Sequence, residues 1–189
     1  MTEQGDRGGQ GVRPVRAPRR ITPDYLQRAA MHYLERYSAP AARLRRVLAR
    51  KIALSCRHHG EDPAAHAAAL DDVVSRCVSS GLVDDQRFAE ARAATLRRRG
   101  RSARAVAASL TAKGVDRELA EQASNVGEAE ELAAARKAAR RKRLGPWSRD
   151  DRAASRQKDL AALARAGFSI AVARAVIDGA DDENLDGDS

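Results

Sequence analysis

Large apolar side chains are too scarce in this chain to fill one deep core. Only 3% of its 189 residues are aromatic, although 43% are hydrophobic, and much of that fraction is alanine. A core built from methyl groups is thin, because each removes little area from water. Such a chain must spread many small contacts along a long surface. Alanine and arginine both favour helices, and β-branched residues are sparse. The composition therefore predicts an all-α protein.

Apolar spacing and turn residues divide the chain into short helices. The first spans 23–36, with Thr22 as N-cap and Pro23 at the first helical position. The second, 39–57, is entered through Pro40 and carries Leu44 and Leu48 as an i, i+4 pair, before the turn-rich break "CRHHGEDP". The third, 64–80, places Leu70, Val73, Val74, Cys77 and Val78 on one face and ends at Gly81. In the fourth, Asp84 or Asp85 caps the start, Phe88, Ala89, Ala93 and Leu96 pack inward, and Arg97, Arg98 and Arg99 precede Gly100. An acidic start and a basic finish suit the helix dipole. Later helices are expected at 102–113 (Ser102 to Gly114), from Asp116 to 124, from Glu128 into "RKAARRKR" (136–143), at 150–166, and at 169–178 behind Ser169. "GPW" (145–147) breaks the chain, with Trp147 as a packing plug.

An internal repeat runs through this series. "SLTAKGVDRELAEQA" (109–123) resembles "ALARAGFSIAVARAV" (162–176), aligning Leu110 with Leu163, Gly114 with Gly167, Val115 with Phe168 and Leu119 with Val172. "RLRRVLARK" (43–51) adds an earlier copy, with Leu48 on Leu110 and Lys51 on Lys113. The helices thus group as three tandem three-helix units at 24–81, 84–126 and 128–178, the first with an insertion near 52–66. No unit has enough large side chains to bury a good core alone, and stacking would let neighbours share one. Residues 1–23 read as a disordered basic arm. Residues 179–189 read as an acidic disordered tail, with six acids and no base over 178–189.

The formal charge is +9 and the pI about 10.3. Residues 24–177 hold 30 basic and 18 acidic side chains, so the body is more basic than the whole. That balance predicts an anionic partner, either nucleic acid or an acidic protein face. No catalytic constellation is present: Asp84–Asp85 and Asp150–Asp151 are explained by helix starts, and there is no phosphate-binding glycine loop. Cys56, His58, His59, His66 and Cys77 lack the paired spacings of a zinc site. Neither metal nor cofactor is expected, and Cys77 belongs to an apolar face. No run of apolar residues approaches a membrane span. Without a secretory leader or a close cysteine motif, the chain reads as a reduced, cytoplasmic protein.

Four stretches then carry a resemblance: "YLERYSAPAARLRRVLARK" (33–51), "GLVDDQRFAEA" (81–91), "GRSARAVAASLTAKGVD" (100–116) and "RQKDLAALARAGFS" (156–169). In this order and spacing, over residues 24–178, the chain resembles RecX, the bacterial regulator of the RecA recombinase. It departs from the family pattern in "APAARL", which lacks a common acid, at Arg92, where an aromatic is common, at Ala166, and in the insertion 52–66. The resemblance implies a regulator rather than an enzyme, built as an elongated, curved array. It implies a monomer that lies in the groove of the RecA–DNA filament and lowers strand exchange, ATP hydrolysis and coprotease activity. RecA and the RecA–DNA filament are the expected partners, with direct DNA contact as a second mode.

The candidate binding residues are basic clusters. Arg43, Arg46 and Lys51 form one, with Arg50 beside them, and Arg97, Arg98, Arg101 and Arg104 surround a turn. Arg136, Arg140 and Arg143 follow i, i+4, i+7 spacing, with Arg141 adjacent; Lys113, Arg156, Lys158 and Arg165 complete the set. The alternative reading is a free-standing basic helical nucleic-acid-binding protein. A structural adaptor gripping an acidic protein is a third.

Overall fold

The capping residues set the architecture. The computed structural model describes residues 17–149 and 151–179. Within them are nine α-helices and no strand: α1 Pro23–Leu34, α2 Ala41–His59, α3 Ala67–Ser79, α4 Asp85–Arg98, α5 Ala103–Lys113, α6 Arg117–Ser124, α7 Glu128–Lys142, α8 Arg152–Arg165 and α9 Ile170–Ile177. The expected caps hold their amides: Thr22 Oγ1 accepts from the Tyr25 N–H at 3.1 Å, Asp84 Oδ1 from Arg87 at 2.8 Å, and Ser169 Oγ from Val172 at 3.2 Å. Each satisfies a donor that the first helical turn would leave unpaired.

The helices pack in consecutive threes, and every substantial helix–helix contact falls inside a triplet. The first core gathers Leu26, Leu44, Leu48, Ile52, Val73 and Cys77. The second is built from Ala89, Ala93, Val106, Leu110, Val115 and Ala120. In the third, the buried residues of α7 are Ala134, Ala135, Ala138 and Ala139, with Leu132 packed beside them, against Leu163, Phe168, Val176 and Ile177. The repeat is physical. Leu48, Leu110 and Leu163 are each fully buried, Val115 and Phe168 occupy equivalent core positions, and Gly114 and Gly167 both take positive φ, +103° and +94°.

Several expectations need correction. Helix α2 runs two residues past the expected end at 57, through His59, and buries Ile52, Ser55 and Cys56 within the 52–66 segment. The break comes at Gly60, followed by a short 3-10 turn, Pro63–His66. Residues 17–22, assigned to the arm, lie along α2: Ile21 joins the first core, Ser55 Oγ donates to the Arg19 carbonyl at 2.8 Å, and a His59 ring nitrogen sits 2.9 Å from the Pro18 carbonyl. Val78 is 48% exposed, because the core face of α3 ends at Cys77. Arg143 leaves the helix in a left-handed conformation at φ 56°, so it does not continue the Arg136–Arg140 row. The remainder of the arm and the acidic tail from 180 onward lie outside the described residues.

Two joints of the same design link the units. At the first, Asp85 accepts from the Ala41 N–H at 2.8 Å, Arg46 Nη2 donates to the Lys113 carbonyl at 2.9 Å, and Gly114 lies against the start of α2. At the second, Glu131 accepts from the Ala103 N–H at 3.0 Å, Ser102 Oγ donates to the Ala166 carbonyl at 2.7 Å, and Gly167 lies against the start of α5. In each, a carboxylate from the next unit's first helix occupies the N-terminus of the preceding unit's second helix, where the dipole favours it. Within the last unit, Arg156 grips Asp178 with two bonds of 2.7 Å, tying α8 to the end of α9.

A Cβ at Gly167 would stand 2.6 Å from Ser102 Oγ, whereas one at Gly60, also left-handed at φ +70°, meets nothing within 4 Å. Gly167→Ala should therefore cost at least about 1 kcal/mol more than Gly60→Ala, because it adds a clash to the same backbone strain. Denaturant unfolding of the two variants measures this, and equal losses would remove the joint from the stability argument. The hydrogen bonds from Arg156, and then the positive charges of Arg156, Arg174 and Arg152, hold the Asp178 carboxyl below its ordinary 3.8. A depressed folded-state pKa gives stability that is fully present above the unfolded value and fades as pH falls through the folded one. Asp178→Asn should accordingly lower stability at neutral pH and flatten its decline below about pH 4, as followed by thermal unfolding across pH. An acid profile identical to that of the parent chain would show that the pair contributes nothing.

Candidate functional site

The first joint opens into a cationic cleft. Its walls come from the end of α1, the Tyr37–Ala39 connection and the outer face of α4. The cleft encloses about 550 Å³ between Leu34, Tyr37, Leu82, Arg87, Phe88 and Arg92. A second hollow of about 260 Å³ adjoins it and brings in Tyr33, Arg43 and Lys113. Tyr37 lies past the end of α1 but is held by its own N–H to the Tyr33 carbonyl at 3.0 Å, and the two rings sit 5.2 Å apart at 36°. Tyr37 remains 57% exposed.

Arg92 borders both hollows. Its Nε is buried without a hydrogen-bond acceptor. Among the described residues, Arg43, Arg87, Arg92 and Lys113 have no carboxylate partner. Asp84 is the acid on the wall, and its carboxylate already caps α4. A half-enclosed cleft with unpaired guanidinium groups and exposed aromatic faces suits an anion joined to a flat or apolar group.

The second joint carries a shallower cleft of about 320 Å³, where Arg104 and Arg165 stand beside Gly167. Thus Arg43, Lys113, Arg104 and Arg165, four of the candidate residues, are gathered at the joints. Lys51, Arg98, Arg101 and Lys158 are exposed away from these cleft walls. Arg136 and Arg140 are exposed on α7 and interact with neighbouring groups.

Four other candidates are engaged within the fold. Arg46 bridges the first joint, and Arg141 Nη1 donates to the Arg99 carbonyl across the second. Arg97 Nη2 donates to the Ala123 carbonyl at the end of α6, and Arg156 holds Asp178. Their charge is visible in the sequence, but their acceptors lie 22 to 67 residues away. Sequence reasoning missed Tyr33, Tyr37 and Arg87. Arg92 stands in the sequence only as a departure from an expected aromatic, and that departure is the available signal.

Neither cysteine is set up as a nucleophile. Burial pushes both thiols up, and at Cys56 the Glu61 and Asp62 carboxylates add to the effect. Among the described residues, no helix is long and apolar enough to cross a membrane.

Comparison with known proteins follows the same architecture. Residues 84–123, the second unit, match the family model "RecX, second three-helix domain". A regulatory protein RecX from Myxococcus xanthus is 42% identical over 179 residues, covering 91% of this chain and 96% of its own length. The crystal structure of RecX from Lactobacillus salivarius superposes with a TM-score of 0.67 at 18% identity, covering 82% of this chain and 94% of that one, which establishes the shared fold. An identity of 42% sustained over nine-tenths of the chain means that this chain belongs to the RecX family of regulatory proteins.

Proposed function

We propose that this chain binds the RecA–DNA filament and restrains RecA, chiefly by limiting filament growth, with the cationic clefts at its two joints as contact points. The observation that carries the reading is the 42% identity to a regulatory protein RecX along almost the whole of both chains. The clefts supply the chemistry. A recombinase–DNA filament presents phosphates and acidic side chains, and unpaired arginines that border half-enclosed hollows bind such groups more strongly than fully solvated ones do. An array of small units offers a long surface for a helical groove. Modulation of RecA, rather than a reaction of the chain's own, is the role.

A second reading, direct binding of single-stranded nucleic acid, is favoured by the Tyr33–Tyr37 pair beside Arg43 and Lys113. Bases stack on exposed aromatic rings while cations track the backbone.

RecA's ATP hydrolysis on single-stranded DNA separates the readings. Inhibition should occur at well below one chain per RecA. Arg43→Glu combined with Lys113→Glu reverses two exposed charges, and it should raise the half-inhibiting concentration on the order of tenfold, the size of a lost charged contact, with helicity unchanged by circular dichroism. Unaltered inhibition by the double variant would exclude the first cleft. A parent chain that leaves RecA untouched at excess, yet binds a labelled oligonucleotide with steep salt dependence, would replace the first reading with the second.

A further inference from the structure

The segment that α2 and the following 3-10 turn build from residues 52–66 brings together three side chains of different chemistry. Cys56 Sγ, a Glu61 carboxylate oxygen and a His66 ring nitrogen all lie within 4.8 Å of one another. We propose that this cluster is a divalent metal site of the zinc class, with Cys56, Glu61 and His66 as ligands and water in the fourth position.

The donor set is the first argument. A thiolate, an imidazole and a carboxylate are the three side-chain ligand types zinc takes, and a tetrahedral ion uses four positions. Soft sulfur together with nitrogen disfavours magnesium and calcium, which select oxygen. The coordinated thiol loses its proton to solvent on binding.

Geometry is the second. Zinc bonds of about 2.0–2.3 Å place neighbouring ligand atoms roughly 3.3–3.8 Å apart. His66 Nε2 and Glu61 Oε2 are already 3.4 Å apart. Closing the rest of the triangle takes about an ångström of movement by the measure of those bond lengths. The His66 and Glu61 side chains are both partly exposed, at 19% and 27%, so rotation about their own bonds can supply that movement.

The surroundings are the third argument. Arg20 bonds Glu61 Oε1, which leaves Oε2 facing His66 and holds the carboxylate in orientation from outside. Asp62 caps the 3-10 turn that carries His66, accepting from the Ala64 N–H at 2.9 Å. His59 is committed elsewhere, with its Nε2 on the Pro18 carbonyl and its ring edge-on to His58. Cys56 is 1% exposed, so its sulfur is shielded from bulk solvent and the ion would sit at the boundary between core and turn. Bound there, the metal would fasten the 60–66 turn to α2, and through Arg20 the residue 17–22 segment as well. The first unit would then be stabilised by occupancy of the site. Sequence spacing hides the cluster, because its members are separated by intervals of five and lie on two elements that meet only after Gly60.

The test uses untagged full-length chain, stripped of metal and titrated with cobalt(II) and zinc(II). The expected result is one tight equivalent of cobalt with a near-ultraviolet thiolate charge-transfer band and four-coordinate visible bands, displaced by zinc, and a thermal midpoint raised by zinc. Cys56→Ser should abolish the charge-transfer band, while Cys77→Ser keeps it. His66→Gln, a change at the surface turn, should weaken zinc binding at least tenfold without altering helicity. If Cys56→Ser does not fold, the His66→Gln affinity and the Cys77→Ser spectrum still decide the matter. Absence of stoichiometric binding, or a cobalt spectrum without sulfur character in the parent chain, would overturn the assignment.

Discussion

The N-terminal amides of α2 and α5 point into the joints between units, where bulk water cannot serve every donor. A helix leaves its first four N–H groups without internal acceptors, and a buried donor with no acceptor costs roughly 1–3 kcal/mol. Asp85 and Glu131 supply the missing acceptors at Ala41 and Ala103. Both come from the first turn of the following unit's first helix, so the bond that completes one helix also fixes the next unit in place. The glycine at the end of the following unit's second helix permits the approach. Lys113 and Ala166, the residues just before Gly114 and Gly167, offer their carbonyls to Arg46 and Ser102. Different side chains complete one geometry twice.

This dependence explains how a chain so poor in large apolar residues holds together. The alanine face of α7 buries little area per residue, but its small side chains let Gly100 come within about 3 Å, at the position of an added Cβ, of Ala134 and Lys137. Close backbone approach replaces bulky interdigitation, and directional bonds replace area. The same economy of contacts leaves the joints as concave seams. Cations that take no part in the fold, Arg43 and Lys113 at one seam and Arg104 and Arg165 at the other, stand along them.

What could be read in advance was what is local. Caps such as Thr22, Asp84, Ser102 and Ser169 act within three residues of themselves, and a glycine that ends a helix acts on the turn it closes. These features predict eight helix starts to within about two residues and align Gly114 with Gly167; the start of α3 falls three residues later than expected. What stayed hidden depends on chain segments that meet only on folding. Asp85 could be a cap for its own helix or an acceptor for another; Asp84 takes the first role and Asp85 the second. Arg97 and Arg141 look like solvated cations until the carbonyls of Ala123 and Arg99 arrive beside them. Extending helical periodicity to Arg143 failed because the backbone there is already left-handed. Tyr37 carried no periodic signal because it lies beyond the last turn of α1.

Arg92 connects the scaffold to the proposed role. The RecX resemblance puts an aromatic side chain at this place in α4, which would close the seam with apolar surface. An arginine there leaves a buried Nε with no acceptor inside the protein. That is unfavourable for the isolated chain by the cost of an unpaired buried donor. In the proposed role, a carboxylate or phosphate that drew this guanidinium out into the cleft it borders would remove the deficit, and only when bound. A group that is unsatisfied alone and satisfied in the complex adds to affinity without adding to the stability of the free protein. It also discriminates, because a neutral or cationic surface leaves it unpaired. By this logic the proposed role would be served by the same seam that holds the first two units together, with the preference for an anionic surface built into the joint itself.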